Sequence, residues 1–159
     1  MNTKHLLDLL KSDARLSDQE LANRLSCNVS DVAAARASLE EEGRIIGYQT
    51  IINDDDEQRV AAFIEVRCTP ERGGGFNNLA KRIARFSEVQ SCYLISGGYD
   101  LLVLLESSSL QAVARFVSEK LSSLDGVLST STHFRLKTYK KDDLLFDDES
   151  THKRLSITP

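Results

Sequence analysis

The chain has 159 residues, 41% hydrophobic and 28% charged, with a net charge of −4; it is long enough for one ordinary domain or two very small ones. This balance excludes disordered and fibrous proteins, and the longest apolar run, Leu101 to Leu105, is far too short to cross a bilayer. Residues 1–60 hold seven Lys/Arg and twelve Asp/Glu, a net of −5, while the remainder is +1, so the first half carries the sign that phosphate binding disfavours.

The first fifty residues predict three short helices and then a strand. In the first helix Leu6, Leu7 and Leu10 share a face, with Ala14 one turn further on, and Ser12 to Arg15 closes it. The second opens at Ser17-Asp18-Gln19-Glu20, a capping box in which Ser17 and Glu20 satisfy each other's free amides. Its apolar face is Leu21, Ala22 and Leu25. After the turn Ser26-Cys27-Asn28, in which Asn28 suits an N-cap, the third helix runs through Val32, Ala35 and Leu39 and stops at Gly43, which suits a left-handed cap. Arg44 to Ile52 alternates around Gly47 and predicts a two-stranded wing or a connecting strand. The acidic run from Asn53 to Gln58 marks a domain junction.

From Ala61 the pattern becomes strand, helix, strand, twice over. Ala62, Ile64, Val66 and Cys68 alternate with Phe63, Glu65 and Arg67, which predicts a strand with one buried face. Pro70 to Gly75 is a flexible loop, followed by Phe76, Leu79, Ala80 and Ile83 at helical spacing. Val89 to Ile95 is the second strand. A tight turn at Gly97-Gly98 leads into Leu101–Leu105, whose unbroken apolar run predicts a central strand covered on both faces. Leu110, Val113, Ala114, Val117 and Leu121 predict an amphipathic helix, and Asp125-Gly126 turns into a last strand, Val127 to Leu136. This order is that of a ferredoxin-like split βαβ fold with one open sheet face, which invites dimerisation. Residues 137–159 begin basic at Lys137, Lys140 and Lys141, turn acidic around Leu144-Leu145-Phe146, and read as a partly ordered tail.

Three cysteines and three histidines are scattered without clustering, so neither a zinc site, a disulfide framework nor any other metal or cofactor is expected. No nucleophile, base and ligand set converges: His133 and Cys92 fall on different strands, and Gly73-Gly74-Gly75 lacks the Lys-Ser/Thr of a phosphate loop. No catalytic residue is therefore expected, and an enzyme ranks below a binding protein. The N-terminus shows no secretory pattern, so a cytoplasmic location is expected.

Three stretches together resemble the leucine-responsive regulatory protein/AsnC family: Leu6-Leu7-Asp8-Leu9-Leu10 through Ala14-Arg15; Leu39-Glu40-Glu41-Glu42-Gly43-Arg44-Ile45-Ile46-Gly47-Tyr48; and Ser96-Gly97-Gly98-Tyr99-Asp100-Leu101. The resemblance covers roughly residues 4 to 140 and implies an α+β chain: a (winged) helix-turn-helix at 1–52, a linker at 53–60, a ferredoxin-like βαββαβ sensing and oligomerising domain at 61–136, and a tail at 137–159. It implies a transcription regulator acting on double-stranded DNA. It also implies a small-molecule effector, expected to be an amino acid, and a homodimer that builds to tetramers or octamers.

On this chain Asn28, Ser30, Arg36, Ser38 and Arg44 are the candidate DNA contacts, and Gly97, Gly98, Tyr99 and Asp100 the candidate effector contacts. The glycines expose backbone amides, Tyr99 offers packing or a hydroxyl, and Asp100 offers a partner for an ammonium group. A hairpin turn in which Asp100 merely caps backbone amides is the competing reading. The third helix departs from the family pattern. Its outward residues are Ser30, Ala34, Ala37, Ser38 and Glu41; Ala35 stands where an arginine is common, and Arg36 where a core aliphatic is usual. Either Arg36 snorkels out to a phosphate, or the helix-turn-helix has lost DNA binding and the protein is an oligomeric ligand sensor.

Overall fold

The computed structural model describes residues 2–52, 59–70 and 73–146, and the chain divides into two compact units, Met1–Ile52 and Asn53–Pro159. The whole acidic run at 53–58, part of the loop at 71–72 and the end of the expected tail at 147–159 lie outside the described residues.

The first unit consists of α1 (Thr3–Ser12), α2 (Asp18–Leu25) and α3 (Val29–Glu41). Its core is Leu6, Leu10, Leu16, Leu21, Ala22, Val32 and Leu39, all nearly excluded from solvent. Burying each leucine contributes roughly 1.5–3 kcal/mol, and these few side chains carry most of what holds so small a unit together. Helix α1 stops at Ser12, so Ala14 lies beyond it rather than extending its face. The capping box of α2 forms on both sides: the Ser17 amide donates to Glu20 Oε2 (2.9 Å) and the Glu20 amide donates to Ser17 Oγ (3.3 Å). The cap expected from Asn28 forms differently. Asn28 is the N-cap of α3 by backbone, but its side chain accepts nothing from the helix and instead donates to Asp31 Oδ2 (3.3 Å). Gly43 closes α3 at φ +67°, where a Cβ would strain the chain, and lets the amides of Arg44 and Ile45 both reach the Leu39 carbonyl at 2.9 Å. Residues 44–52 form no strand, which corrects the expected wing: Ile46 and Ile52 stand 96% and 67% exposed, with no strand for the alternation to pair with among the described residues.

The second unit is built on a four-stranded antiparallel sheet of order β2-β3-β1-β4: β1 (Val60–Cys68), β2 (Val89–Leu94), β3 (Leu101–Ser107) and β4 (Val127–Phe134). Helix α4 (Asn77–Ile83) and helix α5 (Leu110–Arg115), which continues into a π-helical turn at Phe116–Leu121, fill the crossovers. The core joins Ala62, Ile64, Val66 and Cys68 of β1 and Leu101, Val103 and Leu105 of β3 to Leu79 and Ile83 of α4 and Val113, Phe116 and Leu121 of α5 and its extension. The buried face of α5 and its extension differs from the expected amphipathic face, because Leu110 and Ala114 are exposed and Phe116 is buried. The widened turn, whose Ser122 amide reaches the Val117 carbonyl at 2.8 Å, places Leu121 five residues after Phe116 on the same face. The Phe116 ring stacks edge-on against Phe86 at 5.5 Å. Strand β3 is internal as expected, yet it is buried on one side only: Leu102 and Leu104 are half-exposed, which corrects the expected double cover.

The end of the described chain folds back as a short hairpin, β5 (Lys140–Lys141) and β6 (Leu144–Leu145), where a tail was expected. Asp142 and Asp143 both take positive φ, as a tight two-residue hairpin turn requires, and the Phe146 amide donates to the Tyr139 carbonyl at 3.0 Å.

Candidate functional site

The outward surface of α3 is made of small residues and, with Arg36 turned inward and Asp31, Glu40 and Glu41 exposed, is acidic. Ser30, Ala34, Ala37 and Glu41 are exposed, and Ser38 donates its hydroxyl to Glu42 Oε1 at 2.7 Å. Arg36 does not point outward, which corrects the expectation that it reaches a phosphate. Its Nη2 donates to the Leu16 carbonyl at 3.1 Å and lies 2.6 Å from Asp18 Oδ1, with the side chain only 21% exposed. The Asp18 contact is an ion pair without hydrogen-bond angles, since Asp18 Oδ1 and Arg36 Nε are buried with no hydrogen-bond partner among the described residues. The directional part of the clamp is therefore the Leu16 carbonyl. Arg36 fastens α3 to the start of α2.

Arg44 is exposed just past α3, whereas Asn28 and Ser30 sit at its other end, about 20 Å away along a thirteen-residue helix. The five candidate DNA residues therefore form two groups at the ends of α3, with Ser38 between them and Arg36 withdrawn. Near the C-terminal end, Tyr48 donates its hydroxyl to Glu40 Oε1 at 2.8 Å, and burial first, then that carboxylate, hold its phenol above the usual range.

The turn between β2 and β3 brings the other four candidates together. The Ile95 amide donates to the Asp100 carbonyl (2.8 Å), closing the loop, and the Asp100 amide donates across the sheet to the Val66 carbonyl (3.0 Å). Asp100 Oδ2 accepts the amide of Cys68 at 2.8 Å, so this carboxylate ties the end of β1 to the start of β3. The second carboxylate oxygen has no partner among the described residues. The capping role weighed for Asp100 is thus taken by one of its oxygens.

Gly97 and Gly98 adopt no positive φ; a Cβ would meet only Ile95 Cγ2 at 3.8 Å from Gly97 and nothing within 4 Å of Gly98. Neither glycine is demanded by this chain's own packing. Tyr99 is half-buried.

One participant was missed in the sequence. Arg67, near the end of β1, donates from Nε to the Gly98 carbonyl at 3.0 Å. The signal was present: the alternation of β1 turns Arg67 away from the core, and a strand pairing antiparallel to β3 must end beside the turn that opens β3. Nearby, the Cys68 thiol is pushed up by burial, then by the Asp100 carboxylate and Cys92, and burial does the same to Cys92, which favours the thiol form of both. Among the described residues no group of three or more metal-ligating side chains gathers.

The sheet face away from α4 and α5 presents Phe63, Leu102, Leu104 and Tyr93, half-buried or exposed and aligned across β1, β3 and β2. Polar pairs frame this apolar centre: an ion pair of Glu106 with Arg135 at 3.2 Å, and Glu65 Oε1 facing His133 Nε2 at 3.5 Å. No helix of the described residues is long and apolar enough to cross a membrane.

Residues 61–145 match the model of the Lrp/AsnC ligand binding domain. Over 157 residues, 97% of this chain and 95% of the relative, the chain is 43% identical to a Bacillus subtilis (strain 168) protein described as an uncharacterized HTH-type transcriptional regulator. Among solved structures, a Neisseria meningitidis transcriptional regulator in complex with L-Met is 25% identical with a TM-score of 0.70, covering 89% of this chain and 92% of that one. The leucine response regulatory protein LrpA of Mycobacterium tuberculosis, 24% identical, shares the fold with a TM-score of 0.76 over 91% of this chain and 97% of that one. The family and these relatives are regulators and not enzymes.

Proposed function

This chain belongs to the Lrp/AsnC family, and from that premise we propose that it is a sequence-specific DNA-binding transcription regulator whose DNA affinity responds to a small ligand, an amino acid. The observation that carries the reading is the end-to-end relationship to an HTH-type regulator at 43% identity, together with a family match over the ligand-binding half. In this reading α2, the turn at Ser26 to Asn28, and α3 are a helix-turn-helix. The sheet order β2-β3-β1-β4 with both helices on one side is the split βαβ, or ferredoxin-like, arrangement. Asn28, Ser30, Ser38 and Arg44 line the DNA surface, while Arg36 fixes the angle at which α3 is presented. The apolar face of Phe63, Leu102, Leu104 and Tyr93 pairs two subunits, and pairing two helix-turn-helix units sets the spacing of half-sites.

The effector sits on the turn Gly97–Asp100. Backbone amides at the two glycines receive it without a side chain intervening, and the second oxygen of Asp100 takes its ammonium group. Asp100 also joins the two central strands β1 and β3, so ligand charge at this carboxylate bears on the end of the sheet that carries the loop. An effector preferring one assembly over another shifts the balance between them, by as much as its difference in affinity and no more.

A second reading, an oligomeric sensor that no longer binds DNA, is favoured by one observation: the only basic side chain within α3 is turned into the unit, and the helix ends on the acidic run Glu40-Glu41-Glu42. Competition binding separates the two. At physiological salt, a duplex from the DNA upstream of the protein's own reading frame should outcompete bulk DNA at least tenfold. Equal competition, or no retention at all, would favour the sensor.

A further inference from the structure

We propose that Arg67 is a ligand-binding residue of the Gly97–Asp100 turn, taking the carboxylate of the effector; this rests on the reading that an amino acid binds there. Three observations converge on it. Through Nε, Arg67 is held against the Gly98 carbonyl at 3.0 Å, so its guanidinium lies on the turn itself. Its terminal Nη groups have no hydrogen-bond or ion-pair partner among the described residues. This differs from Arg36 and Arg135, whose Nη2 atoms are committed to Asp18 and Glu106. The two glycines beside it leave the backbone bare although nothing in this chain's packing or dihedrals asks for glycine.

The chemistry follows from the geometry. A guanidinium presents two edges capable of a two-point grip on a carboxylate: the side edge, Nε with one Nη, and the end edge, Nη1 with Nη2. Here Nε of the side edge is engaged by the Gly98 carbonyl, which restrains the plane and leaves the end edge, Nη1 with Nη2, as the fork. An α-amino acid offers a carboxylate and an ammonium on adjacent carbons. The turn offers one cation and one anion, Arg67 and the second oxygen of Asp100, from the neighbouring strands β1 and β3. A lysine would provide charge here but neither the fork nor the anchoring bond.

Calorimetric titration of the full chain tests this. The twenty amino acids are titrated into the wild type first, then the tightest binder is compared with its carboxamide, in wild type, Arg67→Gln and Arg67→Lys. The wild type should prefer the acid over the amide by about ten- to hundredfold, the range for a hydrogen bond to a charged group. Arg67→Gln should lose that preference, binding the acid about ten- to hundredfold more weakly while holding the amide within about threefold of wild type. Arg67→Lys should keep a part of the preference, and unchanged melting confirms that the variants fold. A preference that survives in Arg67→Gln overturns the proposal. So does an equal loss for acid and amide, which would mean that Arg67 only shapes the loop. If no amino acid binds the wild type, the effector reading itself fails, a result distinct from either.

Discussion

Replacing Arg36 by Met separates its two assigned roles, because Met keeps the length and helix propensity of the side chain while removing the guanidinium. The substitution deletes the bond to the Leu16 carbonyl, on a residue only 7% exposed, and the contact with Asp18. A hydrogen bond from a charged donor to a part-buried acceptor contributes about 1.5–3 kcal/mol. The ion pair, partly open to solvent on both sides, adds less than about 1 kcal/mol, and methionine packing returns some of the loss. The net expected cost is about 2 kcal/mol, which in a unit of roughly fifty residues lowers its melting temperature by on the order of 10 °C. Circular dichroism of the helical transition reads this directly. DNA binding, measured in parallel below the new melting point against salt concentration, should keep its logarithmic slope. A lost phosphate contact would lower that slope by about 0.9 per subunit. A stable variant with a reduced slope would refute the clamp and restore Arg36 to the DNA surface.

Asp100→Ala removes the acceptor of the Cys68 amide and should destabilise the second unit by about 1–3 kcal/mol in urea unfolding, whereas Asp100→Asn, which keeps an acceptor oxygen, should cost much less. If the two are equal, the carboxylate does not brace the strands. The Glu20 carboxyl is held below its ordinary value of 4.5 by the Ser17 hydroxyl first and the Ser17 amide second. A depressed carboxyl stabilises the fold above its ordinary pKa and loses that contribution as pH falls through the lowered value. Ser17→Ala should therefore flatten the acid limb of the first unit's stability profile below about pH 4.5 and lower its melting point at neutral pH. A thiol reagent at pH 8 should modify Cys68 and Cys92 far more slowly in the folded protein than after denaturation; equal rates would contradict their burial and raised pKa values.

Most elements were legible because their signals are local. The Ser17–Glu20 box marks the start of α2, the alternation of Ala62, Ile64, Val66 and Cys68 marks the inner face of β1, and Gly43 and Gly126 mark chain reversals. What escaped depends on partners distant in sequence. The alternation at residues 44–52 resembles a strand, yet a strand exists only if another is there to pair with it. Helical geometry placed Arg36 near the inner side of α3, but not the Leu16 carbonyl twenty residues earlier that receives it. Arg67 meets Gly98 thirty-one residues later, a contact readable only once β1 and β3 are known to be antiparallel neighbours. The π-helical turn that swaps Phe116 into the core in place of Ala114 has no period in the sequence to announce it.

Coupling of an amino-acid site to a DNA-binding unit within one chain is measured by titrating labelled upstream DNA with the protein at physiological salt, with and without the amino acid that binds it most tightly. Saturating effector should move the DNA-binding midpoint by about five- to 150-fold, with a reciprocal change in effector affinity when DNA is bound. Superimposable curves, from a protein shown to bind both DNA and effector, would contradict it.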